Sequence, residues 1–323
     1  MNYKPILLIS GEPNSIFSEI FFKSLKYKKF KSPLILISSE KLLKLQMTKL
    51  NFKKKVKILN YKNIANLKLD NKSINLININ YNTSKAFEKI SSKSNEYIHN
   101  CFDVAFKIIK KNNIKKIITG PISKKTFLNK KYLGLTEYLS EKFKTKKNAM
   151  IIYNKKISVC PLTTHMPLKS VVKNIDKKQI IEKVKLIKDF YKVHFKKNAK
   201  IAILGVNPHC ESIDDYNEDE KIIKPTVKYL KKLKYKVSGP FPADTIFLKK
   251  NIKNFDIILG MYHDQVLTPM KTLFEYDAIN ITLGLPFLRV SPDHGPNEIM
   301  MGKNRSNPLS LIKALTFLDF KSD

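Results

Sequence analysis

Short apolar runs rich in β-branched residues alternate along this chain with segments whose apolar residues recur at helical spacing, and few architectures accommodate that pattern. The runs are Pro5–Ile9, Leu34–Ile37, Ile114–Thr119, Ala149–Tyr153, Ile157–Leu162, Lys200–Val206, Asp256–Met261 and Ala278–Leu283, and each reads as a strand. The clearest helix is Asp176–Phe195, where Ile180, Ile181, Val184, Ile187, Lys188 and Tyr191 keep helical spacing behind Asp176 as N-cap. Glu218–Leu233 and Pro308–Leu318 are two more. Strands alternating with helices predict an α/β protein with a largely parallel sheet, and 323 residues suffice for two lobes. Residues 44–82, rich in Lys and Asn with weak alternation, are expected to carry edge strands and loops.

A chain that is 43% hydrophobic can bury a large core. No apolar run approaches the ~20 residues of a membrane span, and Met1–Ser10 lacks the marks of a secretory signal. A cytoplasmic location with no membrane partner is therefore expected. Cys101, Cys160 and Cys210 are an odd number without metal-type pairing, which predicts free thiols rather than disulfides. A formal charge of +34 would ordinarily suggest nucleic acid. Of the 61 basic residues, however, only Arg289 and Arg305 are arginine, and lysine is spread over the whole length beside much Asn and Ile. Codon bias accounts for that pattern. The arginine forks and stacked aromatics of a nucleic-acid reader are missing, so no nucleic-acid partner is expected and that reading stays a minor alternative.

Glycine is scarce, nine in all against a usual share of roughly 7%. Gly11, Gly120, Gly205, Gly260 and Gly284 each lie at or near the end of an apolar run, where positive φ or close approach to a ligand is needed. Histidine is placed as selectively. Three apolar runs lead into Thr163-Thr164-His165, Asn207-Pro208-His209 and Tyr262-His263-Asp264. Ligands of open α/β sheets sit beyond the carboxyl ends of the strands, so three imidazoles delivered there can meet on one divalent metal with a position left open for chemistry. The competing reading is three ordinary polar residues hydrogen-bonded to their loops. Three in the same register favour convergence. His294 could line the same cleft.

A second group suits phosphate, which wants backbone N–H groups, a hydroxyl and fixed cations. It comprises Gly120-Pro121-Ile122-Ser123-Lys124, Thr136, Lys271, Asn280 and Arg289. In so lysine-rich a chain Lys271 alone carries little weight, whereas Arg289 is a rare choice of an always-charged fork. A surface or interdomain ion pair is its alternative.

Together these motifs resemble the 4-hydroxythreonine-4-phosphate dehydrogenases of vitamin B6 biosynthesis across nearly the whole chain. The matching segments are Gly11-Glu12-Pro13, Ile118-Thr119-Gly120-Pro121, Thr136-Glu137, Thr163 to Leu168, Asn207-Pro208-His209, Gly239 to Thr245, Met261 to Gln265, Asn280 to Pro286 and Asp293-His294-Gly295. The resemblance implies a two-lobed fold like that of isocitrate and isopropylmalate dehydrogenases, one lobe from residues 1–130 and 290–323 and the other from 131–289. It implies a homodimer with its site at the subunit interface, NAD or NADP as hydride acceptor, and one Zn, Mg or Co ion. His165, His209 and His263 would hold the metal, His263 coming from the other subunit. Thr136, Lys271, Asn280 and Arg289 would hold substrate. Asp244 and Asp264 would orient ligands or relay a proton, and Gly11, Asn207, Asp293, His294 and Gly295 are candidates for the cofactor. The implied reaction is oxidation of 4-phosphooxy-L-threonine at C3, followed by loss of CO₂ to give 3-amino-2-oxopropyl phosphate.

The chain departs from this pattern at several places. Leu135 stands where the family has a substrate-contacting histidine, and Asn14-Ser15-Ile16-Phe17 and Cys210-Glu211-Ser212-Ile213 replace glycine-rich stretches. Leu135 keeps open a relative acting on a phosphorylated sugar acid such as erythronate or threonate 4-phosphate. The lost glycines keep open a decayed, non-catalytic homologue.

Overall fold

The structure, a computed structural model, describes residues 3–112, 114–129, 131–213 and 216–321. Among them run twelve strands: β1 Ile6–Ile9, β2 Leu34–Ser38, β3 Val56–Ile58, β4 Ile74–Asn78, β5 Lys116–Thr119, β6 Ala149–Tyr153, β7 Ser158–Thr163, β8 Ile201–Leu204, β9 Val237–Phe241, β10 Ile257–Tyr262, β11 Ile279–Leu283 and β12 Leu288–Pro292. The chain divides into two compact units, Met1–Leu135 with Pro286–Asp323, and Thr136–Leu285. Residue 130, where the sequence placed a lobe boundary, lies outside the described residues. No helix among the described residues is long and apolar enough to cross a membrane. Cys101, Cys160 and Cys210 are buried free thiols.

In the first unit the strands lie in the order β3-β4-β2-β1-β5-β12, every neighbouring pair parallel. β1, β2 and β5 are buried along their whole length, as strands covered on both faces must be. Even Lys116 in β5 is buried; its ammonium lies 4.0 Å over the Phe320 ring and donates to the Phe320 carbonyl, and burial pushes its pKa down to about 8. From β1 the chain builds outward on one side through β2 and β4, then returns to place β5 on the other side. β1 and β5 thus flank a switch point, the usual location of a ligand crevice. The segments leaving them interlock, with the Glu12 N–H donating to Pro121 O at 2.8 Å and the Gly120 N–H to Ile9 O at 2.7 Å. Gly11 sits at φ +73°, and a Cβ there would meet Pro121 O at 2.3 Å.

In the second unit the order is β11-β6-β7-β10-β8-β9. β7, β10, β8 and β9 are parallel, while β6 runs antiparallel to both β11 and β7. Its core joins Ile152, Val159, Ala202, Leu204, Ile258, Val266 and Met270 with Phe241, Phe247 and Phe274 packed against them. The expected long helix spans Lys177–Phe195 and buries Ile180, Val184, Ile187, Phe190 and Tyr191; Asp176 Oδ1 accepts the Gln179 N–H at 2.8 Å, and Lys196 ends the helix at φ 55°. The segment expected as one helix over Glu218–Leu233 is a π-helical turn, Asp219–Ile223, followed by an α-helix, Lys224–Lys232. Parallel β7, β10 and β8 bring their carboxyl ends side by side, and these are the ends that carry the three histidines.

Candidate active site

His165 follows β7, His209 follows β8, and His263 opens the helix His263–Phe274 directly after β10. The His165 and His263 rings face each other with centroids 5.4 Å apart and planes at 42°. Asp264 Oδ1 lies 2.7 Å from His263 Nδ1. His165 and His209 are exposed, His263 half-buried. Both exposed histidines have left-handed backbone, φ 46° and φ 54°, and Cys210 follows at φ 62°. For residues with a Cβ that conformation costs roughly 1–2 kcal/mol each, so surrounding contacts must enforce it. Among the described residues no group of three or more His, Cys, Asp or Glu side chains could hold a metal ion, so the three histidines do not assemble within this chain. Asp244, in the short helix Ala243–Ile246, is exposed; its carboxylate and that of Asp219 add to the burial that raises the Cys210 pKa.

The loop bearing His209 is held by groups that sequence reasoning missed. Asp219, wholly buried, accepts the Val206 N–H at 2.9 Å and both the N–H and the side-chain amide of Asn207 at 3.0 Å. Gln265 donates to Gly205 O at 2.7 Å and accepts the Met261 N–H at 2.7 Å. Thr163 donates to Met261 O at 2.8 Å.

Of the residues expected to hold substrate, Thr136 and Asn280 belong to the second unit. Thr136 is buried in the first turn of the helix Leu135–Lys142, its hydroxyl 3.3 Å from that of Thr282 on β11. Asn280 lies on the same strand, and its Oδ1 is buried with no hydrogen-bond donor among the described residues. The neighbouring Glu137, for which sequence suggested no role, accepts the Thr164 hydroxyl at 3.4 Å. Lys271 is exposed on the helix that His263 begins. Arg289 is in the first unit and is not at the surface: only 4% exposed on β12, it donates through Nε (3.0 Å) and Nη2 (2.7 Å) to the Thr119 hydroxyl at the end of β5. That fixes a guanidinium against Thr119, the residue that precedes the Gly120–Lys124 segment.

Two cofactor candidates, Gly11 and the Asp293–Gly295 segment, begin loops of the first unit that are joined, since the Ile16 N–H donates to Pro296 O at 3.1 Å. The Asp293 N–H donates to Ser310 Oγ at 2.8 Å, and His294 Nδ1 lies 2.9 Å from Gly295 O. The residues standing in place of family glycines fill the first loop with their own bonds: Asn14 Oδ1 accepts the Glu88 N–H at 2.8 Å, and Ser15 Oγ donates to Glu12 O at 2.7 Å. Asn207 belongs to the second unit, where Asp219 holds it.

Glu12 is the buried carboxyl of this loop. Burial pushes its pKa up to about 7, the Asn14 N–H and Ser94 hydroxyl pull it down, and the Glu298 carboxylate raises it again. A carboxyl whose folded pKa exceeds its ordinary 4.5 takes up a proton on folding, so its contribution to stability falls as pH rises from 4.5 through about 7 and stays low above. We expect Glu12→Gln to remove a pH-dependent loss of about 3 kcal/mol across that window. Urea denaturation at pH 5 and pH 8 measures it, and an unchanged difference between the two would refute the assignment.

The comparisons with known proteins agree among themselves. Residues 29–318 match the family model described as pyridoxal phosphate biosynthetic protein PdxA. A 4-hydroxythreonine-4-phosphate dehydrogenase of Sulfurihydrogenibium is 38% identical over 94% of each chain, and one of Aquifex aeolicus is 36% identical over 98% of each. A D-threonate 4-phosphate dehydrogenase of Salmonella typhimurium is 28% identical over 91% of this chain and 92% of its own. Among solved structures, a 4-hydroxythreonine-4-phosphate dehydrogenase from Klebsiella pneumoniae superposes with TM-score 0.83 at 25% identity, covering 98% of both chains. The isocitrate dehydrogenase of Methylococcus capsulatus shares the fold alone, with TM-score 0.51 at 10% identity over 98% of this chain and 85% of its own.

Proposed function

The chain belongs to the PdxA family of pyridoxal phosphate biosynthetic proteins, and from that membership we propose that it oxidises 4-phosphooxy-L-threonine at C3, with NAD or NADP as hydride acceptor and one divalent metal per site. The product, 2-amino-3-oxo-4-phosphooxybutanoate, then loses CO₂ to give 3-amino-2-oxopropyl phosphate. The protein is an oxidoreductase, and we place it in the cytoplasm.

The observation that carries this reading is the pairing of His165 with His263. Two imidazoles bound to one ion through ~2.1 Å bonds at a tetrahedral angle hold their ring centres about 5 Å apart; these stand at 5.4 Å. Asp264 supports the same role, because a His263 Nδ1 proton directed at its carboxylate leaves the lone pair on Nε2. We take His209 as the third ligand. Since it joins no such group within the chain, it rather than His263 would reach in from the second copy of a homodimer.

When bound, a Zn, Mg or Co ion held by the histidines would supply Lewis acidity at the C3 oxygen, and NAD or NADP would supply the hydride acceptor. In the first unit Arg289, held on Thr119, offers a phosphate an always-charged fork; in the second unit Lys271 offers substrate a cation. Asn280 offers an acceptor without a donor, and Thr136 a hydroxyl. Fixing the phosphate positions C3 for transfer. Asp264 and Asp244 are the carboxylates available to relay the C3 proton. Gly11, Asn207, Asp293, His294 and Gly295 are the proposed cofactor contacts.

Leu135 removes one polar contact, which favours threonate 4-phosphate as the second candidate substrate, in keeping with the relatives named for it. Reduction of NAD or NADP, followed by absorbance with each substrate and with or without chelator, decides between them. Chelator-sensitive turnover of 4-phosphooxy-threonine well above threonate 4-phosphate is the expected result. Turnover of neither, with metal present, would defeat both readings.

A further inference from the structure

Three neighbouring strand ends present the histidines, and each is fastened to another by buried polar groups rather than by the loops themselves. Thr163, two residues before His165, donates its hydroxyl to Met261 O, and Met261 stands two residues before His263. Gln265 then joins Met261 N to Gly205 O, at the root of the His209 loop. This side chain sits at the third position of its helix, from which a Gln ordinarily reaches back to the helix's own N-cap N–H. Here it reaches one residue further and spends its amide N–H on a different strand. Gly205 is caught on three sides: its N–H donates to Phe241 O at 3.0 Å, its carbonyl accepts from Gln265, and Asp219 Oδ1 lies 2.6 Å from where its Cβ would be.

Asp219 completes the hold. Its carboxylate is wholly buried, and the partners it takes in the His209 loop are the N–H groups of Val206 and Asn207 and the Asn207 amide. It is aimed there by a π-helical turn, Asp219–Ile223, whose first N–H groups are capped by Asn217 Oδ1 at 2.9 and 3.3 Å. Such wide turns recur where a side chain must be re-aimed for function. A loop that holds two successive left-handed non-glycine residues, His209 and Cys210, needs this kind of external constraint.

We infer that Asp219 and Gln265 are positioning residues that fix the His209 loop on its own chain, so that His209 is presented to the His165–His263 pair of the second copy in one set geometry, and so govern metal affinity while making no contact with the metal. The inference rests on the metal reading above and deepens it. Outer partners that orient a ligand are typically worth 10–100-fold in metal affinity.

The test is calorimetric titration of Zn²⁺ into the chelator-treated full chain, wild type and variants, with thermal melting of each in the absence of metal. Asp219→Asn keeps the shape of the side chain and replaces one acceptor by a donor; Gln265→Met keeps length and removes both bonds. Each is expected to weaken Zn²⁺ binding about 10–100-fold. Placed on a His209→Ala background, Asp219→Asn is expected to cost nothing further, because it acts through that histidine. A lowered melting temperature with unchanged Zn²⁺ affinity, or a full additional loss on the His209→Ala background, would overturn the inference and leave the metal site intact. Absence of stoichiometric Zn²⁺ binding by the wild type would remove the metal reading itself. If Gln265→Met does not fold, the Asp219→Asn cycle alone decides.

Discussion

Chains carrying His165→Ala and chains carrying His209→Ala are each expected to lose dehydrogenase turnover by about three orders of magnitude, and a mixture allowed to exchange subunits is expected to recover about a quarter of the wild-type rate. The single losses follow from removing an imidazole from the proposed three-ligand site. The recovery follows from the proposed sharing of that site between two copies. With His165 and His263 in one chain and His209 from its partner, a mixed dimer holds one site with two defects and one with none. Random exchange makes half the dimers mixed, and each of those has one working site of two. The paired control is His165→Ala with His263→Ala, which should recover nothing, because the two rings 5.4 Å apart belong to the same chain. Recovery in that control instead would make His263 the ligand that crosses, as the sequence resemblance implied. No recovery in either mixture would place all three ligands in one chain.

Gly11→Ala is expected to destabilise the first unit by about 2–5 kcal/mol, the sum of a left-handed conformation imposed on a residue with a Cβ and of overpacking. The methyl would lie 2.3 Å from Pro121 O and 3.0 Å from the Gly120 carbonyl carbon and oxygen. All three are backbone atoms of the segment leaving β5, which the hydrogen bonds from Glu12 and Gly120 already fix, so no side chain can swing away. Gly295→Ala is the matched control: a Cβ there has nothing within 4 Å, and stability should stay within about 0.5 kcal/mol. Denaturant midpoints of the two variants are the measurement. A Gly11→Ala protein as stable as the wild type would mean that the two segments separate easily. Because both glycines are also cofactor candidates, a change of KM for NAD or NADP in Gly295→Ala without a change of midpoint would mark a contact rather than a packing role.

Much of this architecture could be read from residues that agree with their neighbours. β1 and β6 were visible because apolar side chains fill them from end to end, and the helix after Asp176 because cap and spacing concur. The strands overlooked carry polar interruptions with tertiary causes. β4, Ile-Asn-Leu-Ile-Asn, includes buried Asn75, whose amide donates to Leu34 O at 3.0 Å and to Asp70 O at 2.6 Å. β9 includes Gly239-Pro240, and β12 includes Arg289. Residues 44–82 hold the edge strand β3, as composition suggested, whereas β4, paired on both sides, and the last turns of the helix Glu40–Lys49 were not expected there. At the site, histidines at strand ends were legible because position along a strand is a local property. Asp219 and Gln265 were not, since the bond from Gln265 to Gly205 crosses 60 residues and leaves no periodic trace in either segment. The Gly11-Glu12-Pro13 motif pointed at Glu12, but its raised pKa depends on burial among chain segments that spacing alone does not bring together.

One feature of the chain path bears on how the protein is made. The first unit takes its strands β1 to β5 from the amino-terminal part and β12, with the helix Leu309–Leu318, from the carboxyl-terminal part, while Thr136–Leu285 forms the other unit between them. On a ribosome β5 therefore emerges with one flank unsatisfied and waits for its partner β12 while those intervening residues are translated, about 8–30 s at ordinary elongation rates. During that interval the intervening unit can complete its own core, but the first cannot. An open strand flank is where nascent chains stick to one another. Truncation upstream of Leu288 should accordingly leave a soluble second unit attached to an aggregation-prone first one, and synthesis, rather than the finished fold, is where this chain is most exposed to failure.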